Sequence, residues 1–164
     1  MNGFRASFLA LIFVPLSVPS QASASGPSCP QSIAVYGSGN GLVAIEFSGA
    51  EDLSFAMLIE SGPAYAGFVY PAEIEGAADA VVLDNCPDGD VTGDEITACT
   101  VWQGRLEAIA ADGTVEAFSL SGGLAVAGLR MDGLAGALAR RIPDMNAEPA
   151  RAETETLTLS ACQE

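Results

Sequence analysis

The sequence predicts a mainly β domain, either an antiparallel β-sandwich or a small barrel of about eight short strands, with one short helix in the C-terminal half. Three observations carry this expectation. Short apolar runs recur between clusters of Gly, Asn, Asp and Pro, which are turn residues. Residues 100–110 alternate with period two: Trp102, Leu106 and Ala108 face one way, and Gln103, Arg105 and Glu107 the other. That is the signature of an antiparallel strand with one wet face. Helical periodicity recurs clearly in one segment alone, near residue 134. An α+β arrangement is the alternative.

In chain order, the first 24 residues read as a secretory signal peptide. Arg5 precedes an apolar stretch from Phe8 to Val18, and Ala22-Ser23-Ala24 supplies a small-residue cleavage site. The stretch is too short to span a bilayer about 30 Å thick comfortably, and Pro15 and Pro19 interrupt it. Residues 25–164 then form a single disulfide-stabilised, β-rich domain, long enough to bury a core.

Residues 32–36 and 42–48 flank Gly37-Ser-Gly-Asn-Gly41, a hairpin signal, because Asn and Gly tolerate the positive φ of tight turns. The run lacks the G-x-G-x-x-G spacing of a phosphate-cradling loop. Further strands are expected over 53–61, 66–70, 78–83 and 100–110. Ala111-Asp112-Gly113 then turns the chain into 114–120, and 124–131 forms one more strand. Near the end, Thr154, Thr156, Thr158 and Ser160 share one strand face, with Leu157, Leu159 and Ala161 on the other.

The helix is expected over 131–143. Asp132 is placed to cap it, Leu134, Leu138 and Ile142 recur at helical spacing, Arg140 and Arg141 sit at the negative end of the dipole, and Pro143 ends it. A core-packing role suffices for this helix. A polar surface loop follows over 144–153.

The chain has six Arg, 21 Asp plus Glu, no Lys and no His, for a formal charge of −15. Removal of the signal takes Arg5 and no acid. Such a surface repels nucleic acid and anionic membranes, since both are bound through clustered cations. No membrane association is expected after signal cleavage. Four cysteines, Cys29, Cys86, Cys99 and Cys162, follow the signal. An even number in an exported chain reads as two disulfides, with three connectivities open. Spacing favours Cys86–Cys99 as a local loop and Cys29–Cys162 as a tie between the ends. A metal-binding Cys cluster would need C-x-x-C spacing, which is missing.

The loop NCPDGDVTGDEITAC, residues 85–99, is the most chemically suggestive stretch. Asp88, Asp90, Thr92 and Asp94 alternate, with Gly93 at the turn, as oxygen ligands do in the first half of an EF-hand calcium loop. Counting from Asp88, the position that should hold the bidentate Glu is Cys99. The competing reading is structural: Thr92-Gly93-Asp94-Glu95 fits a capping box opening a short helix that ends near Cys99. An open acidic loop meeting a cationic partner is the third reading. The capped, stapled turn is expected first, calcium second, and no other cofactor.

The missing residues also restrict chemistry. Without His or Lys, Ser-His-Asp, Ser-Lys and Cys-His machinery cannot be assembled. Paired cysteines leave no thiol nucleophile. Carboxylate pairs remain, with Glu60, Glu73, Glu75 and Asp84 as candidates for glycoside hydrolysis, but no spacing singles out a pair. The expected function is therefore an exported, non-catalytic domain that binds or assembles in the periplasm or outside the cell, with a protein partner. A calcium-dependent binding module and a carboxylate-based hydrolase are the alternatives.

Overall fold

The computed structural model describes residues 27–49, 53–60, 62–74, 77–87, 89, 92–120, 122–141 and 154–164. The signal peptide, Asp88, Asp90, Glu75, Ile142, Pro143 and the 144–153 loop lie outside them.

Among the described residues nine strands form, eight of them around one axis. They are β1 (Ala34–Ser38), β2 (Val43–Ser48), β3 (Ser54–Ile59), β4 (Ala64–Pro71), β5 (Ala78–Leu83), β6 (Thr100–Ile109), β7 (Val115–Glu116), β8 (Gly128–Arg130) and β9 (Thr156–Cys162). Each pairs antiparallel with its neighbours in the order β1-β2-β3-β4-β5-β6-β8-β9, and β9 returns to β1. The result is a closed eight-stranded barrel, the second of the two expected architectures. The short β7 adds to β6 outside this ring. Closure pairs both edges of the sheet and so removes them.

Alternation decides what faces inward. β1 and β2 read buried, half-buried, buried, with Ala34, Tyr36, Val43, Ile45 and Phe47 inside. Eight strands enclose just enough space for side chains to fill. Tyr36, Ile45, Phe47, Met57, Leu129 and Leu157 fill it, each under 2% exposed. Two glycines make room for aromatic rings: a Cβ at Gly67 would clash with Phe55 Cζ at 2.1 Å, and one at Gly104 would meet Trp102 at 2.8 Å.

Both barrel ends are closed. At one, Phe47 stacks edge-on against Tyr36 and tilted against Phe55 and Phe118. The Tyr36 hydroxyl donates to Gln31 Oε1 at 2.9 Å, with the Val126 carbonyl also at 3.1 Å. Burial pushes the Tyr36 phenol up to about 12. At the other end sits α2 (Leu134–Ala139), in which Leu134, Ala135, Ala137, Leu138 and Ala139 are all buried.

Several expectations change here. The α2 cap is Gly133 in the left-handed region, φ 80°, and Asp132 makes no capping bond. Instead the Asp132 carbonyl accepts from Trp102 Nε1 at 3.1 Å, which docks the helix entry against β6. Glu155 Oε1 accepts from the Gly133 N–H. Of residues 114–120 only Val115–Glu116 pair as strand, because the chain leaves the sheet to bury Phe118. Of residues 124–131 only Gly128–Arg130 do. Thr154 is fully buried in a helical turn before β9 and does not share the exposed Thr156–Thr158–Ser160 face. The two disulfides are Cys29–Cys162 and Cys86–Cys99, and no described cysteine is free.

Candidate functional site

The cystine loop leads from β5 into α1 (Gly93–Cys99). Thr92 is the N-cap. Its hydroxyl accepts from the Glu95 N–H, and Glu95 Oε2 accepts from the Thr92 N–H at 2.8 Å, so the capping box is complete. Asp94 and Glu95 lie in the first turn, where the dipole favours negative charge. The Thr92 hydrogen bonds hold Glu95 below the usual carboxylate range. Cys86–Cys99 then pins the helix end to the segment that leaves β5.

Of the four residues expected to ligate calcium, Thr92 and Asp94 are described. The Thr92 hydroxyl also donates to Glu95 Oε2 at 2.9 Å, so both its roles serve the cap. Among the described residues no three His, Cys, Asp or Glu groups converge as a metal site.

Of the carboxylates raised for hydrolysis, Asp84 is the one brought into a groove. That groove, of about 310 Å³, also holds Glu95, Cys99 and Arg141. Arg141 Nη1 donates to Asp84 Oδ2 at 2.5 Å. Nearby Tyr65 is raised by burial and then by the Asp84 charge, with Arg141 opposing. A glycosidase general acid needs a raised carboxyl, whereas Glu95 is shifted down. Glu60 and Glu73 are exposed and line neither this groove nor the outer-face groove described below.

A second region escaped the sequence reading. The outer face of β3, β4 and β5 is largely apolar, with Ser54 and Asp79 its polar members. Cross-strand register aligns Ser54, Phe68 and Val81 in one row and Ala56, Ala66 and Leu83 in the next, with Leu58 opposite Ala64 beyond. Phe68 is 47% exposed, Leu58 37%, and Ile96 of α1 38%. Between Val81 and Ile96 lies a groove of about 370 Å³, completed by Tyr70, Thr97, Thr100 and Gln103. Gln103 Nε2 donates to the Tyr70 hydroxyl at 2.8 Å and orients its rim. The signal was present: Ala64, Ala66, Phe68 and Tyr70 alternate with buried Tyr65 and Val69. An apolar residue on the wet side of a strand is common enough to pass unnoticed until neighbours are known.

Described arginines pair with acids: Arg105 with Asp79 at 2.7 Å and Arg141 with Asp84 beside this surface, and Arg130 with Glu107 and Asp132 on the β6–β8 side. Among the described residues none pairs with Glu46, Asp94 or Glu95. Comparison with protein-family models, curated proteins and solved structures finds no match to this chain.

Proposed function

We propose that the mature chain is an exported, non-catalytic binding domain that works through its outer surface on a protein partner. The observation that carries this reading is the packed, doubly closed barrel. Side chains fill the space in which barrel carriers hold a ligand. Ring closure leaves no long free edge for strand addition. Recognition therefore falls to the outside. Two disulfides are consistent with an oxidising, exported environment, and the N-terminal leader pattern supports the same route. The inside-apolar alternation, with Glu46, Asp79, Arg105 and Thr158 outward, is the reverse of a membrane barrel and supports a water-facing domain.

The test uses the oxidised mature protein, fixed to a support and exposed to exported proteins from the producing cell, beside hydrolase assays on glycosides and peptides. Retention of a stoichiometric protein, with no turnover, is expected. Turnover lost on replacing a single carboxylate such as Asp84 would overturn the proposal. Melting with excess calcium or chelator, beside Asp90→Ala, adds a separate arm. A rise of several degrees that the variant abolishes would reassign the cystine loop to calcium-dependent binding.

A further inference from the structure

We infer that the β3–β4–β5 outer face and α1 form the docking surface, and that its occupant is a basic protein that inserts an apolar side chain beside Phe68 and Ile96. The inference rests on the binding-domain reading and names the surface and the partner class.

Six large apolar side chains are exposed among the described residues. Leu58, Phe68 and Ile96 gather on this side, backed by Val81, Leu83 and three alanines, whereas Ile74, Val115 and Leu124 lie apart from one another, after β4, on β7 and before β8. Diametrically opposite, β9 presents Thr156, Thr158 and Ser160, and β1 presents Val35 and Gly37. A contiguous apolar patch rimmed by polar groups marks an interaction site, whereas a lone exposed Leu does not. Here the rim is Gln103, Thr97, Thr100 and the Tyr70 hydroxyl. The patch centre is aromatic and the adjoining groove is large enough for one side chain, the arrangement of an interface anchor.

Charge selects the occupant. Glu46 lies in the row of Ala56 and Ala66, and Asp94 and Glu95 precede Ile96 on α1. Arg105 and Arg141, the described cations beside β5 and α1, are paired with Asp79 and Asp84. A second copy of the mature chain, without Arg5, would bring another −16 (5 Arg against 21 acids) against the same acids, and like charges facing one another oppose docking. Anionic lipid is disfavoured for the same reason. A partner rich in Lys or Arg gains attraction at the rim, while its apolar anchor fills the groove.

The experiment places a photo-crosslinking phenylalanine analogue at Phe68, at Ile96 or at Thr158 in cells exporting the full chain, with products identified by mass spectrometry. Positions 68 and 96 are expected to capture the same protein, of net positive charge, and position 158 to capture none of it. With that protein purified, Phe68→Ser and Ile96→Ser should each weaken binding at least tenfold, and raising salt should weaken it further. Retained fluorescence of the sole tryptophan, Trp102, and a cooperative melt would show that each variant is folded. Capture of a second copy of this chain, of an acidic protein, or of nothing at 68 and 96 overturns the inference. Capture at 158 alone would do so while leaving the binding-domain reading intact. Failure at all three positions together with enzymatic turnover would remove both.

Discussion

The two helices are built by opposite means. α1 is exposed along nearly its whole length, with Cys99 its one buried residue. It is held by a complete capping box at its start and a disulfide at its end. In α2, five of its six residues are buried and no side chain caps it. Its N-cap is a left-handed glycine, and its entry is anchored by hydrogen bonds from Trp102 and to Glu155. Short helices are marginal in water. α1 overcomes this through local bonds, α2 through packing into the barrel end. A helix of the first kind can carry function on an exposed face, and one of the second kind serves the core.

The largest expected effect breaks the packed helix. Leu138→Ala removes a fully buried side chain, and we expect about 2–5 kcal/mol of lost stability in denaturant unfolding. A loss well under this range would mean that α2 is not a structural plug. For the tethered helix, replacing both Cys86 and Cys99 by Ser opens a loop with a sequence separation of 13. The expected cost is roughly 3 kcal/mol, with hydrogen exchange quickening in α1 first while amides of α2 stay protected.

Alkaline pH probes the core away from either helix. Tyr36 has its folded value raised to about 12 from 10.0. The protonated phenol is the one the fold accepts. Its contribution is therefore fully present below pH 10 and is lost as pH rises towards 12, by roughly 3 kcal/mol. Tyr36→Phe should flatten that limb of the stability profile.

The smallest effect tests the cap. Thr92→Ala should cost about 1 kcal/mol. Glu95, whose folded value is lowered, supports the fold above its unfolded value and loses that support as pH falls through the folded one. The acid limb should therefore differ between wild type and Glu95→Gln, and the α2 amides should be indifferent to both changes. If they respond, the two helices are coupled and the contrast between them fails.

Legibility in the sequence follows this division. The capping box at Thr92–Glu95 and the α1 span are readable because the signal lies within a few adjacent residues. β5 is placed at its observed bounds, and the inward set of β6, Trp102, Leu106 and Ala108, follows from period two. The α2 cap was not readable. Asp132 is a good capping residue in isolation, but its carboxylate lies against Arg130 at 3.6 Å and Gly133 takes the cap position. Likewise 114–120 has strand character, yet Phe118 turns into the aromatic cluster and ends the pairing. The outer-face patch needed register: Phe68, Val81 and Ile96 lie on three elements, and only pairing brings them together.

By itself the sequence determined what adjacent residues can decide: strand alternation, turn positions, the capped helix, an acidic surface and an even set of cysteines. Tertiary structure alone decided that the sheet closes as a barrel, that α2 is a plug, and which outward side chains become neighbours. The reason is physical. Local hydrogen bonds and side-chain alternation act over a few residues, whereas closure and patch formation depend on contacts such as Ala34 with Cys162, which the chain's order does not reveal.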